Sequence, residues 1–386
     1  MYNRIYAQID VDNLRHNITS IMARHKKDMK VLAVIKADAY GHGSCEIARR
    51  IDDMAYYYGV ATVDEAVELR NAGIKKPILI IGCTSPEDYD RLIKYHITQT
   101  IYSLSDAKKL SWLAVKNGTI ANIHIKVDTG MSRIGFPVSP DGIKEAASLK
   151  ELAGLHIEGI FTHYAKADEK DKTSAKEQKE RFKYFIDGLG AFGVKPRLKH
   201  IDNSAGSMEL DDDEFDMVRL GIAMYGLYPS CEVSREIRLL PVMSLVAHVA
   251  HVKEIDAGCG VSYGWTYVTD KKTKLATVTA GYADGYPRAM SNIGRAIVKG
   301  RSVPVVGRVC MDQLMLDVTD IPDITTDDEV ILIGKSGDEE ISVEEVAAPA
   351  ASFNYELVCN ISRRVPRIYI EEGREDKCVN YLVQRL

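Results

Sequence analysis

Between residues 30 and about 228 the chain repeats one pattern: a short apolar run, a turn, then a stretch with helical spacing. The apolar runs are VLAVIKA, YYGVATV, PILIIGC, TQTIYS, ANIHIKVD, HIEGIFTHY, LKHIDNS and FDMVRLGIAMYG, eight in all. Their nearly continuous, β-branched hydrophobicity marks strands covered on both faces. Residues 64–73 and 85–96 are two of the helical stretches, the first closed by Asn-Ala-Gly and the second opened by Ser-Pro as N-cap and first helical position. Eight strands, each followed by a helix, predict an α/β fold of the (β/α)8, TIM-barrel type rather than an open sheet. Functional side chains of such a barrel stand at the C-terminal strand ends. Lys36, Lys126, Arg133, His163, Ser204 and Arg219 all fall at or just past those ends.

After about residue 235 the pattern changes. MSLVAHVAHVKEI, KLATVTAGY, RAIVKGRSVPVVGRVCMDQLMLDV, DEVILIG and RRVPRIYIEE read as strands broken by glycine and proline turns, with one short capped helix at residues 342–351. The expected organisation is therefore a barrel over residues 1–235 and a mostly β domain over residues 236–386, with the first strand, about residues 1–11, packing against the second domain. A length of 386 residues suits two domains. The acidic stretch at residues 209–216 reads as a solvated loop.

Charge and composition remove several functions. A net charge of -5, with both signs mixed along the chain, offers no basic face for nucleic acid or a membrane surface. No apolar run approaches the ~20 residues of a membrane span. The opening residues alternate like a strand and lack the apolar core of a secretory signal. Seven scattered cysteines without a CxxC pair, and ten histidines without HExxH, suggest neither a metal site nor a disulfide framework. The expected location is the cytoplasm.

The first of the eight runs carries the chemistry. It ends in KADAYGHG, so Lys36 stands at a strand end beside a Tyr-Gly-His-Gly turn. A lysine held there and partly buried suits Schiff-base chemistry with a carbonyl. Pyridoxal phosphate needs such a lysine, a cradle for its phosphate and a partner for its ring nitrogen. Residues 202–207, DNSAGS, and 219–226, RLGIAMYG, can form the cradle from Ser204 and the backbone N–H groups of Gly221 and Ile222. Taken singly, each motif has an ordinary reading: a solvated lysine, a turn, a barrel strand.

Together with KVDTGMSRIGF, GIFTHYAKAD, VRLGIAMYGLYPS, VSYGWTYV, GYADGYPR, VVGRVCMDQLMLDVT and ISRRVPRIY, these motifs make the chain closely resemble the pyridoxal-phosphate alanine racemases, nearly end to end. The resemblance implies an isomerase that interconverts L- and D-alanine by two-base transfer of the α-proton, with Lys36 and Tyr263 as the acid/base pair. It makes Lys36 the residue joined to the cofactor aldehyde and gives the phosphate to Tyr40, Ser204, Gly221 and Ile222. His163 would line the cofactor ring and Arg219 would donate to its nitrogen. Arg133 would pair with the substrate carboxylate, and Lys126, as a carbamate, would position Arg133. Tyr263 and Met311 would reach the site from a partner subunit, which implies a homodimer with shared active sites.

Elementary chemistry supports these roles. Removing the α-proton from one face and returning it on the other takes two groups on opposite sides of the cofactor. Lysine and tyrosine, with ordinary pKa values of roughly 10.4 and 10, must both be lowered to act near neutral pH. An arginine at the ring nitrogen does not give up its proton, which weakens the electron sink and disfavours decarboxylation and transamination. A fold-type III decarboxylase would need an acid where this chain has Arg219. A non-catalytic cofactor carrier built from the barrel alone would end near residue 235. One departure stands out: Arg363 in ISRRVPR occupies a position where the family often has tyrosine, which leaves serine or a broader set of amino acids as an alternative substrate. The guanidinium would either pair with the phosphate or turn outward and leave a roomier pocket.

Overall fold

Eight parallel strands build the barrel of one unit, Arg15–Ala39 with Ser44–Leu240. Their order is Met217–Leu220, Lys30–Val34, Tyr57–Val60, Ile78–Ile80, Thr98–Ile101, Ala121–Asp128, Leu155–Phe161 and Leu198–His200. The two ends of this order meet through backbone bonds from Asp216 N–H to the Lys199 carbonyl (2.9 Å) and from Arg219 N–H to the Asp202 carbonyl (3.2 Å). The expected (β/α)8 barrel is what forms. Every residue of Tyr57–Val60, Ile78–Ile80 and Thr98–Ile101 is buried, as strands covered on both faces should be. The computed structural model describes residues 4–383, so residues 1–3 of the expected first strand lie outside the described residues.

Local sequence decides where the helices start. Helix Val63–Asn71 opens on a capping box, in which Thr62 Oγ1 accepts the Glu65 N–H at 3.2 Å and the Glu65 carboxylate accepts the Thr62 N–H at 3.2 Å. The stretch at 85–96 departs from the single helix expected. It forms a 3-10 turn, Pro86–Asp88, and then helix Tyr89–Lys94, and the Ser85 side chain makes no capping bond. Asp88 sits at φ −95°, ψ 1°, which interrupts the helical path between the two. The acidic stretch is not wholly solvated either. Asp212 is buried, accepts the Tyr164 hydroxyl at 2.7 Å and pairs with Lys179 at 2.7 Å.

The second unit comprises Met1–Leu14, Tyr40–Gly43 and Pro241–Leu386 and is mostly β, as expected. Its main sheet runs Arg301–Pro304, Arg295–Val298, Glu329–Ser336, Met243–Ile255, Ile5–Asp10, Arg367–Glu371 and Arg374–Val379. Strand Ile5–Asp10 is antiparallel to Met243–Ile255, with Ile5 opposite Ala247, and parallel to Arg367–Glu371, with Ala7 opposite Arg367. The short helix Val343–Ala347 is present, with Ser342 Oγ accepting the Glu345 N–H at 3.1 Å. Among the described residues no helix is long and apolar enough to cross a membrane.

Candidate active site

Lys36 opens a turn that the sequence does not announce. Ala37, Asp38, Ala39 and Tyr40 all take φ between 52° and 54°, a left-handed turn built without glycine. Such backbone costs roughly 1–2 kcal/mol per residue, so neighbouring groups must hold it. Glu65 Oε1 accepts the Ala37 N–H at 2.7 Å, Asp38 Oδ1 accepts the Ser44 N–H at 2.9 Å, and the Ala39 N–H reaches the Ile35 carbonyl at 2.9 Å. Glu65 is a positioning residue that sequence reading missed. Its only signal is the capping box, which explains the helix start but not the bond to Ala37.

Ser204 gathers two backbone donors. It stands at the start of the short helix Ser204–Glu209, and its Oγ accepts the N–H of Gly221 at 2.9 Å and of Ala223 at 3.3 Å. Two backbone donors thus converge on one oxygen at the start of the 3-10 turn Ile222–Tyr225, where an anionic oxygen fits equally well. Of the groups expected to hold a phosphate, Ser204 and Gly221 meet directly, while the second converging N–H is that of Ala223, next to the expected Ile222.

Arg219 lies beside them, 4% exposed. Its Nη2 donates to the carbonyls of Thr162 and Ile201, each at 2.8 Å, and meets His163 Nδ1 at 3.1 Å. Its Nη1 meets His200 Nδ1 at 3.0 Å. Every one of these acceptors is neutral, and the Nε–H takes no partner among the described residues. Burial pulls the guanidinium down to about 10, still well above neutral pH. Burial, then Arg219, Arg133, Lys126 and Lys36, holds His163 well below its ordinary value, so its ring is neutral.

Lys126 is 2% exposed, and among the described residues its amine donates hydrogen bonds to two carbonyls, Val127 at 2.7 Å and Ile134 at 3.3 Å. Burial first, then Arg219 and Arg133, lowers its amine to about 7. The Phe161 ring lies between two cations, with Lys126 Nζ 5.6 Å and the Arg219 guanidinium 5.4 Å from its centroid. Arg133 sits exposed on a turn that Asp128 Oδ1 braces, accepting the N–H of Gly130 and Ser132 at 3.0 Å each.

The remaining expected residues belong to the other unit. Tyr40 is buried there, 6.2 Å from the Tyr355 ring, and burial raises its hydroxyl far above the ordinary value. The Gly-His-Gly turn that follows is dictated by packing. A Cβ on Gly41, at φ +80°, would fall 2.1 Å from the Val358 carbonyl oxygen, and Arg367 Nε donates to the Gly41 carbonyl at 3.0 Å. Arg363 places its guanidinium 5.0 Å over the Tyr381 ring. Tyr263 and Met311, 70% and 52% exposed, line a groove of about 870 Å³ with Trp265, Cys310 and Asp312. The Met311 loop is fixed from behind. Arg364 joins Asp312 (2.5 Å) to buried Asp284 (2.7 Å), and the Ala283 N–H donates to the Met311 carbonyl at 3.0 Å.

Fold and mouth together define an α/β-barrel enzyme carrying a β domain. Residues 9–229 match the family described as alanine racemase, N-terminal domain, and residues 242–369 match alanine racemase, C-terminal domain. The chain is 43% identical over 366 residues to the alanine racemase of Halothermothrix orenii, covering 94% of this chain and 96% of that one. It superposes on the alanine racemase of Clostridium difficile 630 with a TM-score of 0.95 at 40% identity, covering 99% of this chain and all of that one. The alanine racemase of Bacillus anthracis, solved with bound L-Ala-P, gives 0.92 at 37% identity, with 99% of both chains covered. The chain belongs to the alanine racemase family.

Proposed function

We infer that this chain interconverts L- and D-alanine with pyridoxal 5′-phosphate held in the barrel mouth. The observation that carries the reading is Arg219, a buried guanidinium braced by neutral acceptors and left with a spare Nε–H. That donor suits an unprotonated ring nitrogen, and the amides converging on Ser204 Oγ suit a phosphate. When bound, the cofactor supplies the conjugated electron sink that makes the α-proton of an amino acid removable.

This chain's residues do the rest. The Ser204 hydroxyl, the Gly221 and Ile222 N–H groups and the Tyr40 hydroxyl hold the phosphate, and His163 lines the ring. Arg219 donates to the ring nitrogen and, keeping its proton, restricts the reaction to proton transfer. Arg133 pairs with the substrate carboxylate. Lys36 Nζ takes or returns the α-proton on one face and the Tyr263 hydroxyl does so on the other. Lys126, with an amine near 7 and carbonyls as its hydrogen-bond acceptors among the described residues, suits reaction with carbon dioxide to a carbamate that steadies Arg133. The exposure of Tyr263, Trp265 and Met311 supports a second copy of this chain covering that face, so that Tyr263 serves the partner's site in a homodimer. This reading places the domain boundary near residue 235 and the enzyme in the cytoplasm.

The test is to incubate the cofactor-loaded protein with L-alanine in deuterium oxide and follow D-alanine and α-deuterium together. D-alanine carrying deuterium, abolished by Tyr263→Phe, is the expected result. Deuterium entering L-alanine without D-alanine removes Tyr263 from the role. No exchange with alanine removes the reading.

A further inference from the structure

Behind Arg219, away from any role assigned above, two fully buried histidines continue its hydrogen bonds through the barrel core. His200 Nδ1 meets Arg219 Nη1 at 3.0 Å, and His200 Nε2 meets His124 Nδ1 at 2.9 Å. His124 Nε2 finds no hydrogen-bond partner among the described residues and faces Glu158 Oε2 at 3.9 Å. We propose that His200 and His124 are positioning residues for Arg219, two imidazoles locked in one tautomer that hold the guanidinium without lending it a counter-charge. The proposal rests on the role given to Arg219 above.

The donor and acceptor inventory forces the direction. A guanidinium only donates, so His200 Nδ1 must accept, and the proton of the neutral ring stands on Nε2. That proton is donated to His124 Nδ1, so His124 carries its own proton on Nε2. Protonating either ring would set two donors face to face. Surrounding charges agree. Burial, then Arg219, His124 and Lys126, holds His200 well below its ordinary value, while burial, then Arg197, Arg219 and His156, lowers His124 to about 3. Glu158 is already matched by Arg197 at 2.7 Å and by the Tyr57 hydroxyl at 2.9 Å, so its charge is spoken for locally.

The barrel is shaped to seat these rings. His200 stacks on Phe161 with centroids 4.8 Å apart and planes 6° from parallel. A Cβ on Gly159 would lie 2.5 Å from the His124 ring, so only glycine admits the imidazole there. The consequence is chemical. A carboxylate at position 200 would neutralise the guanidinium, whereas a neutral acceptor fixes its plane and leaves Nε–H a full-strength cationic donor.

Two measurements test this. In histidine-15N-labelled enzyme with cofactor bound, His200 and His124 should both be neutral Nε2–H tautomers from about pH 6 to about pH 9. A proton on Nδ1 of either ring, or titration of either in that range, overturns the proposal without any assay. The second compares His200→Gln, which keeps an acceptor and a donor, with His200→Phe, which keeps only the stacking. His200→Gln should stay within about tenfold of the parent kcat, and His200→Phe should lose roughly 10- to 100-fold in kcat, more than in KM, the range for removing a partner that orients a reacting group. The absorption band of the bound cofactor should shift in His200→Phe and not in His200→Gln. A His200→Phe enzyme as active as His200→Gln makes the ring a packing element and overturns the relay while leaving the racemase reading intact. A parent enzyme with the expected tautomers but no racemisation removes that reading and the proposal with it.

Discussion

Glu65→Ala is expected to lower racemisation more than its effect on stability explains. The Glu65 carboxylate accepts the Ala37 N–H at 2.7 Å through Oε1, and the N–H of Ala61 and Thr62 at 2.7 and 3.2 Å through Oε2. The Ala61 and Thr62 bonds anchor the helix start, and their loss costs about 1 kcal/mol of stability. The Ala37 bond restrains the left-handed turn that presents Lys36. A charge-assisted bond contributes about 1.5–3 kcal/mol, and the lower figure applies to a carboxylate open to water. Losing about 1.5 kcal/mol of restraint shifts the equilibrium of the turn about tenfold toward relaxed backbone, and kcat/KM falls by up to that factor. Thr62→Ala is the comparison, because it removes the Thr62 Oγ1 acceptor and leaves Ala37 bound. A coupled D-alanine assay and urea unfolding on both variants separate the effects. Thr62→Ala should lose about 1 kcal/mol of stability and Glu65→Ala up to about 2.5 kcal/mol, and only Glu65→Ala should lose activity. Equal activity losses in the two would refute the idea that Glu65 holds the lysine turn.

Three further outcomes follow from the geometry. Because the Lys126 amine lies near 7, its neutral, nucleophilic fraction grows above that pH; each carbamate forms as nitrogen bonds to carbon dioxide and releases a proton. Labelled bicarbonate should therefore give a carbamate carbon signal that rises from about pH 6 to about pH 8 and is absent in Lys126→Met, and an unlabelled parent at the upper pH refutes the carbamate. Mixing inactive Lys36→Ala with inactive Tyr263→Phe should restore about one quarter of the parent activity through hybrid dimers with one intact site, and no recovery after demonstrated subunit exchange refutes the shared site. Gly41→Ala, forced to φ +80° with its Cβ 2.1 Å from the Val358 oxygen, should destabilise the chain by more than about 2 kcal/mol in urea unfolding, a milder loss meaning that the turn can shift.

The barrel was legible because its strands are short, apolar and regularly spaced, and covered strands leave that mark. Lys36, Lys126 and Arg219 were legible for the opposite reason, as charged residues on or beside apolar strands. What stayed hidden depends on contacts between distant segments. KADAY has no glycine, so nothing in it announces four left-handed residues; Glu65, far along the chain, holds them. His124 and His200 read as polar residues within apolar runs, and only the closed barrel brings their rings to 2.9 Å. Asp212 sits in a run of acids that looks solvated, and its burial follows from Tyr164 and Lys179 reaching it across the fold. Arg363 had two open readings, beside a phosphate or turned outward, and the Tyr381 ring beneath it comes from near the end of the chain.

The permanence of the Arg219 charge orders the groups around it. Burial lowers an arginine but leaves it protonated, whereas its neighbours lose charge, through their own burial first and the Arg219 charge second: His163 and His200 fall well below their ordinary values and Lys126 falls to about 7. Asp202 and Tyr164 offset part of the effect of burial on the guanidinium. Asp202, fully buried nearby, is pushed well above the ordinary carboxylate range by burial and by Asp212. The mouth therefore keeps positive charge on Arg219 and Arg133, and among the described residues no carboxylate is hydrogen-bonded to the Arg219 guanidinium. A carboxylate there would compete with every anion the site must admit, and each exchange would cost a desolvated ion pair. Neutral acceptors avoid that competition: they orient the guanidinium and leave its charge for the ligand. On this account a site that must hold a phosphate and an amino-acid carboxylate together is built around Arg219 from histidines and carbonyls, and its buried cation is a side chain that burial cannot discharge.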